Sequence, residues 1–287
     1  MAPERLRSLL ARPGLEIMPG CHDALSAKLL ADAGFQVAFM SGFAVAATRL
    51  ALPDTGLISF SEMLETLRNC CTAAGSVPVI GDGDTGYGNA LNVQRTVAEY
   101  ARAGAAGVMI EDQISPKKCG HTRGKQVVSR EEARMKIRAA VDAGGDTGIV
   151  IMARTDARAV HGFEEALRRC NDFEVEGADI IFLEAPESED EMRCFCKAMT
   201  KPCVANMVPG GKTPILSPQR LQETGYKLAL YPVMLLSSGV AAMQATLTAL
   251  RPGSAAQVPP TISFADLQSV VGFPEYWERE MRYQIKK

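Results

Sequence analysis

The sequence has little of what marks nucleic-acid-binding, membrane or disulfide-rich proteins. Its 287 residues include one tryptophan and three histidines, and aromatic residues make up only 6%. The net charge is −2, so neither a nucleic acid nor an anionic membrane surface is expected as a partner. Apolar runs stay shorter than the roughly 18 residues needed to cross a bilayer, and we expect no membrane span.

The eight cysteines show no spacing typical of a disulfide framework, which a chain of this size does not need. Most of them are expected to be small buried hydrophobes in a reducing compartment. The N-terminal segment, MAPERLRSLLARPGLE, mixes charges into its apolar positions and lacks the apolar centre of a signal peptide. These features predict a cytoplasmic protein that begins with a short amphipathic helix.

Short apolar runs alternate with helical patterns along most of the chain. Strands that are apolar throughout, separated by helices, indicate a parallel sheet covered by helices on both faces. Eight strand–helix repeats predict a closed (β/α)8 barrel of the TIM type, and a doubly wound open sheet is the alternative. The predicted strands are 16–20, 36–42, 78–84, 106–112, 149–156, 179–185, 202–207 and 227–232. The predicted helices are 22–33, 61–74, 91–103, 129–143, 163–177, 188–199, 217–224 and 236–250.

The C-terminal region differs from the rest of the chain. We assign residues 1–250 to the barrel and residues 251–287 to a Pro/Gly/Ala connector followed by one or two helices. This tail holds the single tryptophan, Trp277, beside Tyr276 and Tyr283. Aromatic residues on a terminal helix usually dock on another surface. The tail is therefore expected to pack on a neighbouring subunit or on its own barrel.

Polar residues end six of the eight predicted strands. A (β/α)8 barrel builds its active site at the C-terminal ends of its strands. Buried strands do not normally finish in charged residues one after another, so the set predicts a functional site at this end. The residues are Ser41, Gly42, Asp82, Asp84, Glu111, Asp112, Arg154, Asp156, Glu184 and Asn206.

The segment GDGDTG, residues 81–86, fits the glycine pattern of a dinucleotide-binding loop. However, Asp82 and Asp84 would place two negative charges beside the pyrophosphate that such a loop binds. Carboxylates suit a hard cation instead, and Glu111 adds another from the adjacent strand. We therefore predict a Mg²⁺ or Mn²⁺ site, and an NAD-dependent dehydrogenase is the alternative.

A polar loop, EDQISPKKCGHTRGK at residues 111–125, follows the fourth predicted strand. Its length and its glycines suit a mobile cover over an active site, and we call this segment the lid. Cys119 follows Lys117 and Lys118, and His121 comes two residues later. Three possible cations lower the pKa of a thiol, which makes Cys119 a candidate for proton transfer or nucleophilic attack.

Four segments, IGDGDTGYGN, IEDQISPKKCGH, IMARTDA and FLEAP, together resemble the isocitrate lyase/phosphoenolpyruvate mutase superfamily. KKCGH is the most specific of these matches and is typical of the branch that cleaves carbon–carbon bonds. The later segments NMVPGGKTP and LYP resemble short members of the family, namely 2,3-dimethylmalate lyase, petal death protein and carboxyphosphoenolpyruvate mutase. The resemblance implies a Mg²⁺-dependent oxo-acid lyase. It also implies a homotetramer of (β/α)8 barrels, a dimer of dimers that exchange a C-terminal helix.

The resemblance further implies a role for each matching position. The implied metal residues are Asp82, which contacts Mg²⁺ most directly, and Asp84, Glu111 and Asp54, which hold its waters. The implied substrate-binding residues are Ser41, Gly42, Phe43, Gly120, Arg154 and Asn206, with Arg154 pairing with the carboxylate of the 2-oxo acid. The implied catalytic residues are Cys119, the general acid, with Lys117 and His121 of the lid, Arg154 and Glu184.

The reaction that the resemblance implies is cleavage of a small 2-hydroxy dicarboxylate between C2 and C3. Removal of the hydroxyl proton drives the cleavage and releases an α-keto acid, pyruvate. The other fragment leaves as a carboxylate-stabilised carbanion, an aci-enolate. The metal stabilises charge on the keto acid, the closed lid excludes water, and Cys119 protonates the carbanion.

Departures from the family pattern bear on the substrate. The segment 208–210, Val-Pro-Gly, stands where 2-methylisocitrate lyases tend to carry hydroxyl groups, and Val233 and Met234 are also apolar. An extra carboxylate there would lose a hydrogen-bond partner, which costs roughly 1–3 kcal/mol. We therefore predict an alkyl-substituted malate or oxaloacetate as substrate. The alternatives are 2-methylisocitrate cleavage, oxaloacetate hydrolysis or decarboxylation, and phosphorus–carbon chemistry of the carboxyphosphoenolpyruvate mutase type. His22, near the first strand, either packs in the core or reaches the pocket.

Overall fold

Eight parallel strands form the centre of the computed structural model, which describes residues 1–120, 122 and 124–285. The strands pair in the order β6-β5-β4-β3-β2-β1-β8-β7. A parallel bridge between Ile181 and Cys203 joins the two ends of this order, so the sheet closes on itself. The strands are β1 (Glu16–Cys21), β2 (Ala38–Met40), β3 (Val79–Asp82), β4 (Gly107–Glu111), β5 (Val150–Thr155), β6 (Ile180–Leu183), β7 (Val204–Asn206) and β8 (Leu228–Tyr231).

Helices follow the strands, which gives the (β/α)8 arrangement and confirms the predicted fold class. The doubly wound open sheet is therefore wrong for this chain. The helices are α1 (Ala2–Leu10), α2 (Ala24–Asp32), α3 (Gly42–Leu50), α4 (Phe60–Ala74), α5 (Ala90–Arg102), α6 (Arg130–Gly144), α7 (Arg158–His161), α8 (Phe163–Val175), α9 (Glu189–Ala198), α10 (Pro218–Thr224), α11 (Met234–Ala249), α12 (Phe264–Val270) and α13 (Phe273–Arg282).

Helix α3 is absent from the predicted elements, although it carries part of the site. Its sequence, GFAVAATRL, follows β2 after a single polar residue, so no loop in the sequence separates the strand from the helix. The available signal is Ser41, which caps the helix by accepting a hydrogen bond from the Ala44 amide at 3.4 Å. This cap sets the start of α3 directly beside the C-terminal end of β2.

The barrel interior is closed at the N-terminal ends of the strands. Met18, Met109 and Phe182 belong to one buried hydrophobic cluster inside the barrel. Leu6 and Leu9 of α1 belong to the same cluster. Packing α1 against this end buries its apolar face, as the amphipathic pattern predicts. The opening of the barrel is therefore left at the C-terminal ends of the strands.

The chain divides into two compact units, residues 1–235 and residues 236–287. Helices α11, α12 and α13 have no buried residue, and within the second unit the rings of Phe273 and Trp277 lie 5.7 Å apart. The domain division at residue 250 and the docking of the tail stay predictions. None of the described helices is long and apolar enough to cross a membrane.

Candidate active site

A cavity of about 230 Å³ lies at the C-terminal ends of the strands. Ten of the residues predicted for the site line it, namely Ser41, Phe43, Asp54, Asp82, Lys117, Cys119, Gly120, Arg154, Glu184 and Asn206. Gly42, Asp84 and Glu111 do not line the cavity, but each contacts a residue that does. His121 lies outside the described residues, so its role stays a prediction.

Asp82 ends β3 and is held in place from several directions. Its Oδ2 accepts a hydrogen bond from the Gly42 amide at 3.0 Å, and its Oδ1 accepts one from the Asp84 amide at 3.1 Å. The Tyr100 hydroxyl donates to its backbone carbonyl at 2.9 Å. A Cβ on Gly42 would lie 2.7 Å from Asp82 Oδ2, so this close approach of α3 to β3 needs glycine.

Lys117 of the lid inserts a buried ammonium group among these carboxylates. Its Nζ lies 2.6 Å from Asp54 Oδ1 and 2.7 Å from Asp84 Oδ1. Burial acts to lower the pKa of Lys117, but the Asp84 and Asp54 carboxylates outweigh it and hold that pKa well above its usual value. Lys117 is therefore a permanent positive charge inside an acidic cluster.

The carboxylates carry more negative charge than their surroundings neutralise. Burial raises the pKa of Asp82 to about 6, and repulsion from Asp84 adds to the effect. Burial also raises the pKa of Asp54, against the attraction of Lys117, and raises that of Glu111 well above its usual value, against the attraction of Arg154. Binding of a further cation would therefore stabilise this cluster.

The donor set fits a hard divalent cation that is held largely through water. Glu111 Oε1 is buried and has no hydrogen-bond partner among the described residues, so none of them satisfies this oxygen of the cluster. In the described part of the chain, no three His, Cys, Asp or Glu side chains converge closely enough to hold a metal ion directly. Mg²⁺ commonly keeps several waters and takes only one or two carboxylates directly, so both observations are compatible with it.

Arg154, on β5, is surrounded by carboxylates. Its Nε lies 2.9 Å from Asp156 Oδ2 and 3.4 Å from Glu111 Oε2, and its Nη2 lies 3.2 Å from Glu184 Oε2. The guanidinium also stacks over the Phe182 ring, with its carbon 5.2 Å from the ring centroid. The side chain is only one-tenth exposed, and that face lines the cavity.

Glu184, after β6, and Asn206, at the end of β7, form the next part of the wall. The Asn206 amide donates to both carboxylate oxygens of Glu184, at 3.3 and 3.2 Å. Glu184 is fully buried and is also paired with Arg154. The two residues therefore continue the polar network from β5 round to β7.

The lid runs back over the cavity and places Cys119 at its edge. The Gln113 side chain accepts from the Lys118 amide at 3.0 Å and donates to the Lys118 carbonyl at 2.8 Å, which fixes the chain next to Cys119. Cys119 is half-buried, and it lines the cavity together with Gly120. A thiol in this position can transfer a proton to a bound molecule.

Three polar residues that were not assigned a role form hydrogen bonds with the site residues or with one another. Asp156 accepts hydrogen bonds from Arg154 and from Lys125, whose Nζ is 2.7 Å away. Asp112 accepts from the Thr155 hydroxyl at 2.6 Å and from the Asp156 amide at 2.8 Å. Asp112 and Asp156 were visible as polar residues at strand ends, whereas Lys125 carried no signal beyond its place in the lid.

The residues that line the cavity include two chemically different sets. We call Asp54, Asp82, Lys117, Arg154 and Glu184 the charged part. We call Val208, Pro209, Leu230, Pro232 and Val233 the apolar part; these residues come from β8 and from the loops after β7 and β8.

His22 is not among the residues that line the cavity. Its side chain is mostly buried, its Nδ1 has no hydrogen-bond partner among the described groups, and burial lowers its pKa. The structure therefore places His22 in packing beside the start of α2 and not in the pocket.

The family model described as phosphoenolpyruvate phosphomutase matches residues 6–251. The chain therefore belongs to the phosphoenolpyruvate mutase/isocitrate lyase superfamily, and it is an enzyme of the oxo-acid lyase class. It is 41% identical to 2,3-dimethylmalate lyase of Eubacterium barkeri over 97% of both chains. It is 42% identical to the chloroplastic carboxyvinyl-carboxyphosphonate phosphorylmutase of Arabidopsis thaliana, over 97% of this chain and 84% of that one.

Solved structures of the superfamily have the same fold. Oxaloacetate acetylhydrolase in complex with the inhibitor 3,3-difluorooxalacetate matches with a TM-score of 0.93 at 33% identity, over 97% of this chain and 96% of that one. Phosphonopyruvate hydrolase in complex with oxalate and Mg²⁺ matches with a TM-score of 0.85 at 31% identity, over 99% of both chains. Membership confirms the resemblance seen in the sequence, and the NAD-dependent dehydrogenase is wrong.

Proposed function

We propose that this protein is a Mg²⁺-dependent lyase that cleaves an alkyl-substituted malate, such as 2,3-dimethylmalate, into pyruvate and a second carboxylate. The observation that carries the proposal is that the same cavity is lined by charged residues and by apolar residues from the last two strand ends. A substituted malate presents two carboxylates and a hydroxyl group to the first part and alkyl groups to the second. The identity of 41% to a 2,3-dimethylmalate lyase over almost the whole chain supports the same substrate class.

The acidic cluster is the proposed metal site. We assign the most direct contact to Asp82, and we assign the waters of the ion to Asp84, Glu111 and Asp54. The pKa of Asp82, raised to about 6, supports this choice, and so does Glu111 Oε1, which no described residue satisfies. The Mg²⁺ in the related phosphonopyruvate hydrolase supports it as well. When bound, the metal stabilises negative charge on the oxygens of the forming keto acid. Mn²⁺ suits the same hard oxygen donors.

The substrate carboxylate is proposed to pair with Arg154 and to accept hydrogen bonds at the start of α3. Ser41 accepts a hydrogen bond from the Ala44 amide, which leaves its hydroxyl proton for a ligand. The Phe43 amide lies in the first turn of α3, where backbone N–H groups favour an anion. The Gly42 amide already donates to Asp82, so it links the carboxylate site to the metal site.

Cys119 is the proposed general acid. A base takes the substrate hydroxyl proton, the hydroxyl oxygen becomes the carbonyl of the keto acid, and the electrons of the broken C2–C3 bond leave on the fragment that becomes the aci-enolate. Cys119 lines the cavity from the lid and donates its proton to that carbanion. Lys117 and His121 are proposed to assist from the lid, and Glu184 and Asn206 are proposed to bind or orient the second half of the substrate.

The apolar part limits the size and polarity of the substrate. Val208 and Val233 offer no hydrogen bond to the third carboxylate of 2-methylisocitrate, and its burial without a partner costs roughly 1–3 kcal/mol. Oxaloacetate cleavage is a second candidate, because the TM-score of 0.93 to oxaloacetate acetylhydrolase shows a closely similar framework. Phosphorus–carbon chemistry, as in the carboxyphosphonate relative, is a further outcome of the test below.

The functional assembly is proposed to be a homotetramer, a dimer of dimers that exchange a C-terminal helix, located in the cytoplasm. Helices α12 and α13 bury no residue within the chain, and Phe264, Trp277 and Met281 are exposed. Light scattering after size-exclusion chromatography should give four times the chain mass of 30.8 kDa. A chain truncated after residue 250 should give a smaller assembly, and a monomeric full-length protein would contradict the proposal.

The test of the activity is a coupled assay for pyruvate with lactate dehydrogenase and NADH. Candidate substrates are 2,3-dimethylmalate, 2-methylmalate and 2-methylisocitrate, each with Mg²⁺ and then with EDTA, while oxaloacetate loss is followed by absorbance. Pyruvate formed from an alkylmalate only in the presence of Mg²⁺ supports the proposal. Consumption of oxaloacetate alone indicates the hydrolase or decarboxylase reaction. If none of the four substrates reacts, the proposed lyase activity on them is refuted, and phosphonates are the next substrates to test.

A further inference from the structure

Lys125, at the end of the lid, is a buried lysine that is not among the residues lining the cavity. Its side chain is 1% exposed. Its Nζ lies 2.7 Å from Asp156 Oδ1 and also donates a hydrogen bond to the Gly120 carbonyl. A buried ammonium group is stable only where partners satisfy it, so these two contacts fix where the lysine head can lie.

The first partner, Asp156, is shared with the guanidinium that faces the cavity. Arg154 donates to Asp156 through Nε at 2.9 Å and through Nη2 at 3.1 Å. Burial would raise the pKa of Asp156, but Arg154 and Lys125 outweigh it and lower that pKa to about 2. The carboxylate is therefore ionised at any working pH and holds both cations at once.

The second partner, Gly120, lies directly against Arg154. A Cβ on Gly120 would come within 2.5 Å of Arg154 Nη2 and 2.8 Å of Glu184 Cδ. The lid backbone therefore rests on the Arg154–Glu184 pair with no space between them. Cys119, the preceding residue, is positioned by the same piece of backbone.

We infer that Lys125 is a positioning residue: it ties the Cys119–Gly120 backbone to Asp156, the carboxylate that also orients Arg154. A single buried bridge thus sets both the thiol at the edge of the cavity and the guanidinium in its wall. If the Cys119–Gly120 backbone moves while Lys125 stays on Asp156, the buried ammonium group has one partner fewer and the surroundings of Arg154 change. The inference draws on the proposed function only for the chemical roles of Cys119 and Arg154.

The test replaces the lysine head and measures the exposure of Cys119 without any substrate. Lys125→Met keeps the length of the side chain and removes its charge and donors. Iodoacetamide labelling of Cys119 is followed by mass spectrometry, and the remaining cysteines of the same chain serve as internal references. We expect labelling of Cys119 to become about tenfold faster, the scale of a typical coupling between two sites, and labelling of the exposed Cys194 to stay constant.

Lys227→Met is the matched control. Lys227 is also a buried lysine that donates to backbone carbonyls, those of Arg12 and Gly14, both at 2.9 Å, but it precedes β8 at the other end of the barrel. Its replacement should leave the labelling rate of Cys119 unchanged. Equal acceleration in both variants, at equal thermal stability, would mean that a general loosening of the barrel exposes the thiol, and the inference would fail.

Two further variants keep the test decisive if Lys125→Met does not fold. Asp156→Asn preserves shape and removes the shared charge, so it should also speed the labelling of Cys119, whereas Lys125→Arg restores a donor and should return the rate toward that of the unaltered protein. A wild-type labelling rate in Lys125→Met and in Asp156→Asn, or in whichever of these two folds, overturns the inference. Because labelling needs no turnover, it is measured whichever substrate the coupled assay identifies. In that assay kcat should fall with Lys125→Met and recover with Lys125→Arg.

Discussion

The charged and the apolar parts of the cavity differ in how strongly each side chain depends on its neighbours. Arg154 pairs with Asp156, Glu111 and Glu184, and removal of any one of them leaves a buried charge less satisfied. Val208 and Val233 are half-buried and contribute surface rather than charge. On the proposed function, we therefore expect the charged part to determine the chemistry, and we expect changes in the apolar part to alter only the choice of substrate.

The largest expected effect is loss of the metal from the charged part. Treatment with EDTA should lower activity by at least about a thousandfold, because several kcal/mol of charge stabilisation in the transition state are lost. Added Mg²⁺ should restore activity in the unaltered protein, but not in Asp82→Asn, which lacks the carboxylate proposed as the most direct ligand. The measurement is the coupled pyruvate assay at matched protein concentrations. Activity that survives EDTA would remove the metal from the proposed mechanism.

The next largest effect is expected at the edge of the same part, where the lid places Cys119. Cys119→Ser should lower kcat by roughly 10² to 10⁴, the range for loss of a general acid, because a hydroxyl is a much weaker acid than a thiol. Mg²⁺ affinity, measured by calorimetry, should remain unchanged, since Cys119 is not assigned to the metal. Full activity of both Cys119→Ser and Cys119→Ala would rule out the role.

The charged part could largely be predicted from the sequence because it follows a general rule of the fold. Parallel strands end together at one edge of a barrel, so Asp82, Arg154 and Glu184, which end or follow different strands, meet whatever the details of packing. The eight strands themselves were predictable from short apolar runs. Val208 and Val233 were instead singled out as departures from the family pattern, and both line the cavity.

The connections within the charged part could not be predicted in this way. Lys125 and Asp156 are 31 residues apart, and nothing in either segment indicates the other. The sequence likewise does not show that the Gly42 amide reaches Asp82, 40 residues further along, because α3 was not predicted. Local patterns reveal which residues reach the same end of the barrel, whereas the partner of each side chain depends on tertiary packing.

An intermediate effect is expected where the lid rests on the charged part. Gly120→Ala would bring a methyl group within 2.5 Å of Arg154 Nη2, so the lid backbone or the guanidinium must move. We expect kcat/KM to fall by about 10- to 100-fold, because small displacements of reacting groups are costly. Gly145→Ala is the control, since its φ of −46° and open surroundings accommodate alanine. Equal kinetics for the two variants would show that the fit at Gly120 has no functional role.

The pH dependence of metal binding offers a further test of the charged part. The pKa of Asp82 is raised to about 6, so below that pH a proton competes with the metal. Mg²⁺ affinity should fall about tenfold for each pH unit below 6 and level off above it. The stability of the metal-free protein should change with pH in the opposite direction. Because the pKa of Asp82 is higher in the folded than in the unfolded protein, its protonation stabilises the fold at low pH, and this contribution is lost as pH rises through about 6. Calorimetric titration with Mg²⁺ and thermal unfolding without it, both at pH 5 to 8, measure the two trends. Constant affinity over this range would contradict the assignment.

The smallest expected effect on rate, and the sharpest test of the comparison, lies in the apolar part. Val208→Ser introduces a hydroxyl group where a third carboxylate would lie, so the ratio of kcat/KM for 2-methylisocitrate to that for 2,3-dimethylmalate should rise by roughly tenfold. The kcat for the better substrate should change little, because Val208 does not take part in the bond cleavage. Val175→Ser, at a site that is 79% exposed on α8, controls for the substitution itself. A fall in kcat for both substrates with no change in their ratio would mean that the apolar part also supports the chemistry, and the division between the two parts would not hold.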